Sequence, residues 1–346
     1  MSNSLTERLL KNSTLKGRTA TLDKSKVHNK RELVPTPIPA INIGLSGSPT
    51  GGLGCGLTTI AGPSKHFKTL FGLIITAAYM KAKPNSVCVF YDSEFGAGTQ
   101  YFKSVGIDPS RVVHTPITNI EELKFDIMKQ LDELEEKDEV IFFIDSIGNL
   151  ASKKEVDDAM DMKSVADMTR AKQLKSLWRM VTPHLNLKDI PLIAISHIYM
   201  TQEMFSKAVV SGGTGGIYAS DTIWIVGRQQ EKEGSDLTGY NFVINIEKSR
   251  FVKEKSKINV TVRFDGGIDK WSGLLELAEE FNYVSKPRKG YYVRNCVKDD
   301  KQTHRKKTST KEFWAPIFEN TDFLKDIEKK YKLATETPIV VEDENE

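Results

Sequence analysis

Short apolar runs alternate with helical apolar stripes along most of this 346-residue chain. Residues 57–61, 87–91, 140–144 and 192–195 are continuous apolar or β-branched runs, the pattern of strands covered on both faces. Between them lie helical stripes. Residues 69–81 form one. Ile120, Leu123, Ile127, Leu131 and Leu134 form a second, with Asn119 and Glu122 as a capping pair. Val165, Met168, Leu174, Leu177, Trp178 and Val181 form a third. Residues 223–226 and 242–246 add strands that follow one another closely, and Ile258, Val260 and Val262 alternate as a half-exposed strand does. Strands alternating with helices predict an α/β fold, a doubly wound and mostly parallel sheet with an antiparallel edge.

The ends depart from this pattern. Leu5, Leu9 and Leu10 have helical spacing and predict a small N-terminal helical element within residues 1–34. Pro35, Pro37 and Pro39 read as an extended linker. The α/β core then spans residues 35–285. Residues 286–335 are basic and aromatic and read as a small C-terminal α+β region, with Phe323, Leu324, Ile327 and Tyr331 on one short helix. Residues 336–346 read as an acidic, disordered tail.

Charge sharpens the picture. The net charge is only +3, yet residues 1–33 carry +5 and residues 286–311 carry +8, which leaves −10 for the rest. Basic segments on a mildly acidic body suit contact with a polyanion at chosen surfaces. Three scattered cysteines, Cys55, Cys88 and Cys296, make neither a disulfide framework nor a zinc site and fit a reducing cytosol. No stretch is long and apolar enough to predict a membrane span, and the first residues lack a signal-peptide pattern.

Candidate chemistry gathers at strand ends. Gly62-Pro63-Ser64-Lys65-His66-Phe67-Lys68-Thr69 follows a strand and opens a helix, the context of a phosphate-binding loop. Lys68 would reach the β- and γ-phosphates, and the Thr69 hydroxyl would ligate Mg²⁺. Phe67 stands where a second glycine is expected, so a left-handed backbone there would cost about 1–2 kcal/mol. Asp145 ends an apolar strand, as an acid holding Mg²⁺ does. Glu94 follows another strand, at the edge where ligands gather in doubly wound sheets. Taken singly these are a turn, a cap and a surface acid; together they predict nucleotide hydrolysis.

The loop 62–69, the segments FYDSEFG and FIDSIGNLASKKE, TQEMFSKAVVSGGTG and FDGGID, and their order, resemble the RecA family of recombinases and, more closely still, its T4-type phage branch. The resemblance covers most of the chain and includes Phe67, since the phage-type loop also lacks the second glycine. It implies a RecA-like P-loop ATPase core that takes ATP and Mg²⁺. It implies Glu94 as catalytic glutamate, Tyr101 as the aromatic on the adenine, and His197 as the polar γ-phosphate sensor. Lys248 and Arg250 match cations that reach the ATP of an adjoining subunit. Residues 151–164, with Lys153, Lys154 and Lys163, and residues 200–216, with Met204, Phe205, Lys207, Gly212 and Gly213, look mobile and match the family's two single-stranded-DNA loops.

The function implied is ATP-dependent strand exchange by a helical filament on single-stranded DNA, paired with homologous duplex, in recombination, repair and replication. By the same resemblance, the N-terminal helix and a strand over residues 40–45 would link the subunits. A single-strand-binding protein and a recombination mediator are implied partners, the cytoplasm of a phage-infected cell the implied place. The basic segment 286–311 could collect duplex DNA, with the acidic tail in competition. Two other readings of the same motifs stay open: a ring helicase on this ATPase core, and a DNA-binding filament protein that uses ATP only as a clamp.

Overall fold

The computed structural model describes residues 4–25, 27, 32–135, 137–161, 169–202 and 206–333. Among these the strands are β1 (Gly56–Ala61), β2 (Val87–Asp92), β3 (Val112–Pro116), β4 (Val140–Asp145), β5 (Pro191–Ser196), β6 (Ile198–Met200), β7 (Ala208–Val210), β8 (Thr222–Glu233), β9 (Asp236–Ser249), β10 (Lys257–Arg263), β11 (Gly267–Ile268), β12 (Val284–Arg288), β13 (Tyr291–Arg294) and β14 (Thr303–His304). The helices are α1 (Leu5–Asn12), α2 (Pro39–Ser46), α3 (Lys68–Ala82), α4 (Thr99–Ser104), α5 (Ile120–Glu133), α6 (Lys153–Met160), α7 (Thr169–Leu187), α8 (Thr214–Ala219), α9 (Leu274–Glu280), α10 (Lys311–Glu319) and α11 (Thr321–Tyr331).

The central sheet runs in the order β11-β10-β9-β8-β1-β5-β4-β2-β3. Its middle and one flank are parallel, while β8, β9, β10 and β11 are joined by antiparallel ladders. The continuous apolar runs divide by alternation between two cores. Ile141 and Phe143 of β4 face a core that includes Phe71, Ile75 and Phe90. Phe142 and Ile144 face the other, against Leu123, Ile127, Leu177 and Trp178 of α5 and α7. Helices therefore cover both faces, as the alternation of elements predicts.

Four expectations are corrected. Residues 40–45 are not a strand but lie in α2, with Pro39 in its first turn and Gly47 left-handed (φ 78°) just past its end. Those are helix start and stop signals, and they outweigh the β-branched Ile41 and Ile43. The helix is fully buried, and Trp224 donates from Nε1 to Gly44 O at 3.0 Å, so this segment is not free to add to a neighbour as a strand. The proline run before it is extended but not a loose linker: Val34 bridges Leu53, and Thr36 N donates to Asn42 Oδ1 at 2.7 Å. Residues 153–160, expected to be irregular, form α6 because Ser152 caps it, accepting from Glu155 N at 3.1 Å. Residues 200–216 hold part of the β6–β7 hairpin and the start of α8. Val165 and Met168 lie outside the described residues.

The C-terminal part forms a three-stranded sheet, β12-β13-β14, with α10 and α11 packed through Phe313, Trp314, Phe323 and Ile327 into the first core. Among the described residues no helix is long and apolar enough to cross a membrane.

Candidate functional site

The loop between β1 and α3 leaves the sheet at its carboxyl edge. Lys68 opens α3, is buried, and donates from Nζ to Pro63 O at 2.9 Å. Burial pulls its ammonium below the ordinary value, against the charges of Glu94 and Asp145. The Thr69 hydroxyl donates to Asp145 Oδ2 at 2.8 Å, which ties the loop to the end of β4. Asp145 is pushed up to about 6, first by burial and then by Glu94 and Asp92, although the Thr69 hydrogen bond opposes the rise. A buried carboxylate among acids, beside a hydroxyl, is short of positive charge. That fits Mg²⁺ with a triphosphate on the Lys68 side.

The missing glycine has a structural answer. Phe67 does adopt a left-handed backbone (φ 55°), and so does Lys65 (φ 60°). The Phe67 ring lies 4.8 Å from that of Phe242, centroid to centroid, and Phe242 in turn meets Phe71 edge-on at 5.8 Å. An aromatic pair contributes about 0.5–1.5 kcal/mol beyond its burial, comparable to the backbone cost. Pro63 and Ser64 are exposed, and His66 Nδ1 lies 2.8 Å from Ser64 O. Gly62 is buried at the exit from β1.

Glu94 lies beside this loop, beyond the end of β2. Its backbone N donates to Asp92 Oδ1 at 3.1 Å, as does Phe95 N at 2.7 Å, so Asp92 shapes the turn. Three donors converge on Glu94 Oε1: Ser146 Oγ at 2.6 Å, His197 Nε2 at 2.9 Å and Asn149 Nδ2 at 3.0 Å. Burial raises the carboxyl, but the bonds from Ser146 and His197 and the charge of Lys68 outweigh it and hold the group below its usual value. An ionised carboxylate so held can orient and polarise a water through Oε2. Ser146 follows Asp145 through a cis peptide bond. A Cβ on Gly148 would stand 2.6 Å from His197 Cδ2, so only glycine admits the imidazole there.

His197 sits between β5 and β6, at the base of the hairpin. Its carbonyl accepts from Ser211 N at 2.8 Å. One residue thus touches Glu94 with its side chain and the hairpin's return strand with its backbone. Gly212 (φ 106°) and Gly213 (φ 75°) follow, the latter at the start of α8. Lys207 is exposed at the hairpin, with its backbone N donating to Thr201 Oγ1 at 2.9 Å. Lys153 and Lys154 are exposed on the first turn of α6, and Lys154 Nζ lies 3.5 Å from Asp158 Oδ2. Lys163, Met204 and Phe205 lie outside the described residues. Tyr101 is half-buried on α4, and burial followed by the charge of Asp145 raises its phenol.

Lys248 and Arg250 are not brought to the loop. Lys248 is level with Ile223, and Ile223 with Thr59 of β1; Ser249 is level with Thr222, and Thr222 with Thr58. Arg250 therefore lies toward the amino end of β1, roughly 15 Å of strand from Gly62. Lys248 Nζ donates to Ile217 O at 2.8 Å and Tyr218 O at 3.0 Å, capping α8, and burial followed by the charge of Arg250 lowers its ammonium. Arg250 Nε lies 2.7 Å from Asp221 Oδ1, whose other oxygen accepts from Leu57 N at 3.0 Å.

Sequence reasoning missed Ser146, Asn149, Asp92 and Arg228 near the site. Ser146 and Asn149 stand in the FIDSIGNLASKKE segment directly after the strand-end acid, a position that could have flagged them. Arg228, which donates from Nη1 to Lys65 O at 3.2 Å, carries no local signal.

With this geometry in view, similarity to known proteins is informative. A family model described as the RecA N-terminal domain matches residues 9–269. Another, described as Bacteriophage T4, Recombination and repair protein, C-terminal domain, matches residues 271–327. The "Recombination and repair protein" of Enterobacteria phage T4 is 51% identical over 337 residues, covering 95% of this chain and 86% of that one. A "Protein RecA" from Mesomycoplasma hyopneumoniae (strain J) is 26% identical over 245 residues, 70% of this chain and 69% of that one. A solved structure titled "Crystal structure of the RadB recombinase" superposes with a TM-score of 0.47 and 18% identity, covering 63% of this chain and 92% of that one. The chain belongs to the RecA family of recombinases, on the side of the family represented by its T4 relative.

Proposed function

We propose that the chain is an ATP-dependent DNA strand-exchange recombinase that hydrolyses ATP between subunits of a filament on single-stranded DNA. The observation that carries this reading is the division of functional groups between the two ends of β1. Lys68, Thr69, Asp145, Glu94 and His197 gather at the carboxyl end. Lys248 and Arg250 stand toward the amino end, beyond reach of their own loop. A head-to-tail contact that presents one end to the other completes the site and propagates as an open helix.

Lys68 and the backbone of residues 62–68 bind the triphosphate, Thr69 and Asp145 would hold Mg²⁺, and Tyr101 lies against the base. Bound Mg²⁺ neutralises phosphate charge. Glu94 Oε2 orients the attacking water. His197 reports the γ-phosphate to the β6–β7 hairpin through the Ser211 hydrogen bond, and the hairpin with Lys207, Met204, Phe205, Gly212 and Gly213 grips single-stranded DNA. Lys153 and Lys154 supply phosphate contacts from α6, and Lys163 belongs to the same DNA-binding segment of the sequence. Hydrolysis relaxes that grip, as in other nucleotide switches. Arg250 and Lys248 stabilise charge in the neighbour's site, and the exposed Leu5 and Leu9 of α1 pack on the next subunit. The basic C-terminal strands meet homologous duplex. A single-strand-binding protein and a mediator assist loading, in the cytoplasm.

The test is ATP turnover with and without single-stranded DNA across a salt series, with electron microscopy of the same samples. Strong stimulation by unpaired DNA and open helical filaments support the reading. Closed rings that unwind duplex, or nucleotide binding without turnover, would each overturn it.

A further inference from the structure

The phosphate loop has two side-chain-bearing residues in left-handed backbone, Lys65 and Phe67, a conformation that glycine takes far more readily. Both are held by one rung of the neighbouring ladder. Arg228 of β8 pairs in register with Phe242 of β9, and side chains opposite each other in an antiparallel pair share a face. From that rung Phe242 packs on the Phe67 ring at 4.8 Å, and Arg228 Nη1 donates to Lys65 O at 3.2 Å. The guanidinium is itself fixed, with Cζ 4.5 Å from the centre of the Tyr240 ring, and Tyr240 neighbours Phe242 at 6.1 Å. β8 runs on past the last rung it shares with β1, Ala61 with Ile225, so this rung lies alongside the loop. The loop hugs β8 as it leaves, since a Cβ on Gly62 would stand 2.9 Å from Val226 O. Burial holds the His66 imidazole below its ordinary value, with the charges of Arg228 and Lys68 adding to that and the Ser64 carbonyl opposing it.

We propose that Arg228, stacked on Tyr240, is a positioning residue for nucleotide binding: by holding the Lys65 carbonyl it keeps the left-handed backbone of a phosphate loop that lacks its second glycine. This rests on the ATPase reading above and adds to it an outside brace on the loop. Arg228 acts through Lys65 and not on the triphosphate.

The experiment titrates the fluorescent analogue mant-ATP, with Mg²⁺, onto the full chain and its variants and measures turnover alongside. Arg228→Ala weakens binding roughly ten-fold, as the loss of a charge-assisted hydrogen bond does. Its turnover at saturating ATP and single-stranded DNA stays within about two-fold of wild type. In a Lys65→Gly background, where the left-handed turn no longer needs holding, the same substitution costs less than about two-fold. Tyr240→Leu weakens binding about three-fold alone and has no effect in Arg228→Ala protein. Unchanged affinity in Arg228→Ala, a ten-fold loss that persists in Lys65→Gly, a fall in turnover without a fall in affinity, or a Tyr240→Leu effect independent of Arg228 would each overturn the brace. Wild-type protein that does not bind mant-ATP would overturn the ATPase reading instead, and the brace with it.

Discussion

The two ends of β1 are built on different principles. At the carboxyl end, functional groups contact one another: Thr69 with Asp145, and Ser146, Asn149 and His197 with Glu94. At the amino end, Lys248 and Arg250 contact structural partners, the carbonyls of α8 and the buried Asp221. A strand has one direction, and parallel strands bring their carboxyl ends together, so loops and acids from β1, β2, β4 and β5 meet there without further help. The antiparallel β9 returns the other way and delivers its cations to the opposite end. One end is organised for chemistry within the chain, and the other for supply to a second copy.

The sharpest way to break that contrast is to remove Arg250. In Arg250→Ala, DNA-stimulated ATP turnover should fall by about 10³ or more, the scale of an arginine supplied across an interface, with mant-ATP binding to the isolated chain retained. Asp221 then loses its cation, so the thermal midpoint should drop as well. Glu94→Gln acts at the other end and should slow turnover by about 10²–10⁴ while ATP binding persists. Mixing the two variants tests the division directly. Filaments formed from both should regain activity at about a quarter of their interfaces, those with Glu94 on one side and Arg250 on the other. A mixture as inactive as either parent would place both groups in the same subunit's site.

Smaller effects sharpen the contrast within the loop. Phe67→Ala keeps the left-handed backbone but loses the Phe242 contact, and should destabilise the fold by about 1 kcal/mol in a denaturant titration. Phe67→Gly also relieves the backbone, so its loss should be smaller. A melt as low for glycine as for alanine would show that φ at this position carries little cost. The smallest effect is expected in the separate C-terminal sheet. Arg294 donates to Asp300 at 2.7 and 3.0 Å, and this pairing holds the carboxyl below its ordinary 3.8. A depressed carboxylate stabilises the fold above the unfolded-state value and loses that contribution as pH falls through the folded one. Asp300→Asn should therefore lower stability by about 1 kcal/mol or less at pH 7, and the gap to wild type should close in acid.

Much of this molecule is legible in one dimension. Strand runs and helical stripes mark most of the sheet and its covering helices, because burial on one or two faces writes a period into the chain. The phosphate loop and the strand-end acids can be found because close backbone approach and strand termini demand particular residue types in order. Other features were hidden for physical reasons. Pro39 and Gly47 outvoted Ile41 and Ile43 because residue preferences yield to end signals and packing, so a wholly buried helix could pass for a strand. Ser152 and Glu155 carry a capping signal for α6, but it stands among charges with no apolar period to mark a helix.

Local order along the chain thus specifies the strand-and-helix alternation and the identity of the reactive groups. Folding alone settles which of them meet. Glu94 and His197 are 103 positions apart in the sequence and in contact in space, and Arg228 reaches Lys65 across 163. Lys248, within β9, and Arg250, just past its end, lie away from the loop because β9 runs antiparallel to β8. Proximity across such separations is set by strand order and register, which depend on the whole packed sheet and leave no periodic trace in any short segment.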